Sequence, residues 1–290
     1  MNEILKNNSF KYHTHGSYGA VFSNHNNTII LKIILIGEDF CIDSDCDYYN
    51  VCADMKLFST TMSEFTNEVE TQQYVYSKSL GSNIYGQICP EIYDYACLNY
   101  DDPQLSSLCQ ESIHMVNLCI VASNFNFKLG LIAMEFITEI EAFNSGLPLE
   151  TITISCCFAS ILLVILTGIH HVDCHTSNIC IDPKKPTHVK FIDFGKSIVI
   201  PPQKHRIMLE SFHKKQYCEI LFALFEKRRT HPHIKYMLSS PDMQIKLHYM
   251  FASHFAQLKA QTFNDWFNFA QSITIGACAI VVLSMCIRHN

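Results

Sequence analysis

His171-Val172-Asp173-Cys174-His175-Thr176-Ser177-Asn178, followed some fifteen residues later by Asp193-Phe194-Gly195, is the densest group of chemically competent side chains in the chain. Between the two clusters, Asn178 to Ile181 and His188 to Ile192 are short β-rich segments. Asp182-Pro183-Lys184-Lys185-Pro186 separates them and carries turn residues, so a hairpin is predicted there. His170, His171, Asp173, Cys174 and His175 are all metal-ligand types. Immediate neighbours in sequence rarely point at one ion, however, so a metal cluster is the weaker reading of this stretch.

Outward from this core the two halves of the chain differ. On the N-terminal side, Ala20 to Phe22 and Thr28 to Ile36 read as strands joined by a loop at Ser23-Asn24-His25-Asn26-Asn27. Thr61 to Ser79 has helical spacing of Phe65, Val69 and Tyr76, with Ser63 as its start. Further strands are expected at Ile88 to Tyr95, Val116 to Ala122 and Leu129 to Phe136, with a loop over Tyr100 to Ser112. Helices dominate afterwards, at Leu149 to Ile169, Ser211 to Arg229 and Gln244 to Ala270. The change from strand-rich to helix-rich falls near residues 135 to 145.

An HxDxxxxN loop and a DFG separated by a hairpin resemble the catalytic core of protein kinases and their relatives. The resemblance implies an α+β, two-lobed fold in one domain over 1–290. A β-rich lobe would occupy 1–137, with an insert near 37–55, and a helical lobe 138–290. It implies Asp173 as catalytic base, and Asn178 with Asp193 as ligands of Mg²⁺ on ATP. Phosphoryl transfer is mostly positioning and charge neutralisation, which is the work of two carboxylates and an amide so placed.

The same resemblance implies partners in the N-terminal half. Thr14-His15-Gly16-Ser17-Tyr18-Gly19-Ala20-Val21 is similar to a glycine-rich phosphate loop with Thr14 in place of the first glycine; Gly16 and Gly19 would admit phosphates and Val21 would pack on adenine. Lys32, in Ile30-Leu31-Lys32, would hold the α- and β-phosphates. Glu68 is the expected ion-pair partner of Lys32, with Glu64 and Glu70 as alternatives; the separation of 36 positions accommodates the insert. Met134 would stand as gatekeeper, and the backbone from Glu135 onward would meet adenine.

Further features depart from the protein-kinase pattern. Val172 replaces the arginine that pairs with a phosphorylated activation loop, so that mode of activation is not expected. His175 takes the place of a lysine, as is more typical of small-molecule kinases. After Gly195 no clear APE motif follows, Ser240-Pro241-Asp242 being a faint match, and Tyr217 to Leu221 lacks an aspartate to hold the catalytic loop. The arrangement is similar to compact atypical kinases and to kinase-like proteins of large DNA viruses. Transfer to a protein serine or threonine hydroxyl is the leading expectation. The alternatives are a small-molecule kinase of the aminoglycoside or choline-kinase type and a catalytically idle kinase-like binding module.

Composition sets outer bounds. A formal charge of −6 and a pI near 6.2 argue against a nucleic-acid partner. Fourteen cysteines in 290 residues, with polar residues instead of an apolar signal after Met1, suggest reduced thiols and an intracellular protein. Cys41, Cys46 and Cys52 lie in an acidic stretch without paired metal-site spacing. Ile152 to Ile169 reads as a buried helix. The run from Ile273 to Ile287, about 15 residues against the ~20 that span a bilayer, reads as a last core helix, with a membrane anchor as the other possibility.

Overall fold

The computed structural model describes residues 1–16, 19–37, 59–80, 87–174, 177–225 and 239–253. The chain opens with a short helix, α1 (Asn2–Asn7), and three strands, β1 (Phe10–Gly16), β2 (Gly19–Asn24) and β3 (Ile29–Ile36). Helix α2 (Met62–Leu80) and strand β4 (Ile92–Asn99) follow. Helices α3 (Ser106–Glu111) and α4 (Ile113–Phe125) come next, then β5 (Lys128–Glu135). The five strands form one antiparallel sheet in the order β1-β2-β3-β5-β4.

β3 and β5 are apolar almost throughout because the sheet is covered on both faces. Leu31, Ile33 and Leu35 of β3, with Leu129, Leu131 and Ala133 of β5, pack against Met115, Leu118 and Val121 of α4. The alternate residues Ile34 and Ile36, with Ile132 and Met134, meet Phe65 and Val69 of α2. The two-residue period of a strand therefore puts Lys32 on the α2 face. Helix α2 answers with a stripe of buried residues at helical spacing, Phe65, Glu68, Val69, Gln72 and Val75.

The second half begins with the short strand β6 (Ile140–Glu141) and helix α5 (Leu149–Thr167), followed by β7 (Ile169–His170). The hairpin β8 (Ile179–Asp182) and β9 (Lys185–Phe191) comes next. After it come β10 (Ile198–Val199), α6 (Pro202–His213), α7 (Tyr217–Phe225) and a helical stretch over 241–253, here α8. β6 pairs with β8, and β10 with β7. Helix α5 is long and apolar enough by composition to cross a membrane, but it is mostly buried in the core of this half, against Phe191, Phe212, Leu221 and Phe251 among others. A helix apolar on every side is what a central position requires. The architecture is α+β, a β-rich N-terminal part and a helical C-terminal part.

Several expected elements are corrected. Val116 to Ala122 is helical. Ser112 caps the start of α4 by accepting from the His114 amide, Asn126 ends it in a left-handed conformation, and Met115, Leu118 and Ala122 repeat at helical spacing. Tyr100 to Ser112 is not a plain loop: Asp102 accepts from the Gln104 amide and Pro103 opens a 3₁₀ turn that leads into α3. β4 starts at Ile92, later than expected, because Cys89 to Glu91 lead into it around Pro90. The predicted helix from Ser211 is two helices, α6 beginning already at Pro202, with Lys215 at φ 59° breaking the chain between them. Helix α2 is capped by Thr61, not Ser63. The Thr61 hydroxyl accepts from the Glu64 amide at 3.0 Å while Glu64 accepts from the Thr61 amide at 3.0 Å, a reciprocal capping box. The residues proposed for an acidic insert, for Cys41, Cys46 and Cys52, and for an apolar tail at Ile273 to Ile287 fall outside the described ones apart from Gly37.

Candidate active site

The hairpin β8–β9 and the two polar clusters that flank it are bound into one unit at the end of α5. Gly168, at φ 70°, ends α5 in the left-handed region and turns the chain into β7. His171 is buried between Phe191 and Phe194, and its Nε2 is bonded to the Ile192 carbonyl at 2.9 Å. That carbonyl can only accept, so Nε2 carries the proton. Burial holds the imidazole below its usual pKa and keeps it neutral. The Asn178 amide donates to the Asp173 carbonyl at 3.0 Å, and the Asn178 carbonyl accepts from the Ile192 amide at 3.1 Å. Asp173, Asn178 and Ile192 are thereby locked together, and Asp193 follows at φ 65°. A non-glycine residue in that region is strained, and such strain concentrates at functional positions.

The candidate metal ligands around His171 do not converge. His170 packs edge-on to Phe225, Cys174 lies 3.1 Å from the Ser160 hydroxyl, and His171 is committed to Ile192. His175 lies outside the described residues.

From the sheet, Lys32 reaches over to this unit. Its Nζ lies 2.5 Å from Glu68 Oε1 and 3.2 Å from Asp193 Oδ1. Glu68 is 4% exposed. Of the alternatives to it, Glu64 is committed to capping α2 and Glu70 is exposed. Burial pulls Lys32 down, yet the two carboxylates together outweigh it and the net direction is upward, so the ammonium stays charged. Burial pushes the Glu68 carboxyl up, against the pull of Lys32. Lys32 holds Asp193 below the usual carboxylate range, with burial opposing.

These groups line a cavity of about 1240 Å³ between the sheet and the helical part, which also takes in Gly19, Val21, Met134, Glu135, Asp173, Asn178 and Gly195. Gly16 ends β1 opposite Gly19 of β2. Gly19 needs to lack a side chain for a reason the sequence did not suggest: an added Cβ would lie 1.8 Å from the Ile33 carbonyl oxygen of β3. Val21 sits opposite Lys32 in the β2–β3 register. Met134 is buried, its sulfur 3.9 Å from the Gln72 amide. The Glu135 carboxylate accepts from Lys190 of β9 at 3.4 Å and from the Glu91 amide at 3.3 Å, tying the end of β5 to the hairpin.

Two participants were missed from the sequence. Lys196, directly after Gly195, places its Nζ 3.0 Å from Asp173 Oδ2. Asn67, the neighbour of Glu68 on α2, donates to the carbonyls of Gly195 at 3.0 Å and Ser197 at 3.3 Å. Both contacts join residues more than a hundred positions apart or across the hairpin, and no local pattern announces them.

No family model matches the sequence, and no curated protein matches it. Among solved structures the chain is similar to WbdD in complex with a kinase inhibitor, at 13% identity and a TM-score of 0.41, covering 91% of this chain and 50% of that one. It is similar to a Rio2 kinase complex with ADP/Mg²⁺ and phosphoaspartate from Chaetomium thermophilum, at 13% identity and 0.36, covering 88% and 74%. It is also similar to vaccinia related kinase 3, at 9% identity and 0.36, covering 84% and 71%. The chain thus spans half the length of the WbdD chain.

Proposed function

We propose that this chain, as one two-lobed domain, is an ATP-dependent phosphotransferase that moves the γ-phosphoryl group to a serine or threonine hydroxyl of a protein. The observation that carries the reading is the contact chain Glu68–Lys32–Asp193 facing Asp173 and Asn178 across one cavity. Lys32, kept charged, would hold the α- and β-phosphates, and Glu68 would keep its ammonium in place. The Glu135 and Phe136 amides are already bonded, to the Glu91 and Thr28 carbonyls. An adenine donor from the chain would therefore come from Ile137 onward, which lines the cavity beyond Met134.

The donor set suits Mg²⁺. Asn178 spends its amide nitrogen on Asp173 and keeps its side-chain oxygen; Asp193 spends one oxygen on Lys32 and keeps the other. Hard oxygen donors beside phosphates are what Mg²⁺ takes, and when bound it supplies neutralisation of phosphate charge. Asp173 would orient the acceptor hydroxyl and take its proton as the oxygen bonds to Pγ. The bond from Pγ to the bridging oxygen breaks, and its electron pair leaves with ADP.

A second reading, a kinase of small alcohols or amino sugars, draws support from the segment after Gly195. Only β10 intervenes before α6 begins at Pro202, which leaves little platform for an extended peptide. A catalytically idle binding module is the third. Transfer from γ-labelled ATP with Mg²⁺ to casein, to the chain itself, and to choline and an aminoglycoside tests all three, with Asp173→Ala as control. Label on protein that is lost in the variant supports the first reading, and label on a small alcohol the second. Nucleotide binding with no label on any acceptor leaves the idle module.

A further inference from the structure

We propose that Lys196 is a catalytic cation that contacts the transferring phosphoryl group, a role that rests on the phosphotransferase reading above. Its Nζ lies 3.0 Å from Asp173 Oδ2, and it lines the same cavity as Lys32, Asn178 and Asp193. The side chain is half exposed, so its head can shift within the cavity mouth without leaving a buried charge behind. The backbone beneath it is held on both sides, because Asn67 binds the carbonyls of Gly195 and Ser197. A long side chain on a clamped backbone, with its head paired to Asp173, is a positioned cation.

The chemistry at Asp173 supplies the need. A carboxylate that accepts a hydroxyl proton must stand close to phosphate oxygens of its own sign, and the repulsion opposes in-line approach. Lys32 is held by Glu68 and Asp193 and makes no described contact with Asp173. Lys196 sits where attacking oxygen, Asp173 and phosphoryl group must meet, and it offers three donors. As the oxygen–Pγ bond forms and the bond to the ADP oxygen breaks, the ammonium passes from Asp173 to the equatorial oxygens. Asp173 is then free to receive the proton. A preorganised donor at developing charge is worth roughly 10²-fold to 10³-fold in turnover.

The test uses the full chain with Lys196→Ala, Lys196→Gln and Lys196→Arg, measuring label transfer from Mg-ATP to the acceptor identified above and, separately, affinity for Mg-ADP by calorimetry. ADP lacks the γ-phosphate, so its affinity is expected within about twofold of wild type, which also reports that each variant is folded. Turnover of the Ala and Gln variants is expected to fall about 10²-fold, with part of it recovered by Arg. Turnover equal to or above wild type would overturn the proposal, and so would a parallel loss of ADP affinity, which belongs to a structural role. A wild-type chain that binds nucleotide but labels nothing fails earlier, at the phosphotransferase reading, and takes this role with it.

Discussion

At the scale of single residues, the Lys32–Glu68 pair is the point where burial and charge compete most directly. Glu68 is nearly inaccessible, and Lys32 opposes a desolvation that already pushes its carboxyl up. Removing one partner of a buried pair costs about 3–5 kcal/mol when the other remains charged. In Lys32→Met, Glu68 can escape that cost by taking up a proton. Its folded pKa would then stand further above the unfolded value, so the native state binds more protons and stability falls as pH rises through that window. Urea unfolding of the variant should show a small loss against wild type near pH 5 and a loss approaching 3–5 kcal/mol near pH 8. Equal losses at both pH values would mean that Glu68 is not the group left behind. Phe65 made Glu68 legible by its spacing along α2. The Thr61/Glu64 capping box was equally legible, and reading it would have removed Glu64 as an alternative at once.

At the scale of elements, the sheet and α2 are positioned through a gap in β5. Gly130 lies where an added Cβ would come within 2.6 Å of Ile36 Cδ1 and 2.8 Å of the Phe65 ring. The helix that carries Glu68 therefore rests on the sheet through a residue without a side chain. Gly130→Val should overpack this contact and cost about 1–3 kcal/mol, lowering the urea midpoint without changing the slope; an unchanged midpoint would show that α2 does not depend on this seat. Elements buried on both sides were readable as apolar runs, as β3, β5 and α5 illustrate. The same lack of contrast hid α4, because Val116, Ile120 and Val121 are β-branched and the segment is apolar around most of its circumference. Only the cap at Ser112 and the burial of Met115, Leu118 and Ala122 separate helix from strand there. The break between α6 and α7 was invisible for a different reason: Lys215 adopts a left-handed conformation with no glycine to announce it.

At the scale of the whole molecule, the site is assembled from parts that share no sequence neighbourhood; Lys32 and Asp193 are 161 positions apart and 3.2 Å apart in space. Their meeting was legible only through the order of motifs along the chain, since no periodicity connects a strand lysine to a carboxylate beyond a distant hairpin. Lys196 and Asn67 were not legible, because their roles exist only once α2 and the segment after Gly195 are packed together. The sheet has cores distinct from the one around α5, which α2 joins through Val75, and the cavity lies between the sheet and the helical part. A nucleotide that bridges Lys32 on one side and Asn178 with Asp193 on the other would stabilise the native chain alone. At a hundredfold excess over Kd that linkage is worth about 2.7 kcal/mol. For a chain of this size each kcal/mol moves Tm by roughly 2–4 °C, so Mg-ADP should raise Tm by about 5–10 °C. Asp193→Ala should lose most of the Mg²⁺-dependent part of the shift, because it removes an oxygen donor while leaving Lys32 to the phosphates. A wild-type shift below about 1 °C at millimolar Mg-ADP, under conditions where the chain unfolds reversibly, would separate the fold from the nucleotide chemistry assigned to its cleft.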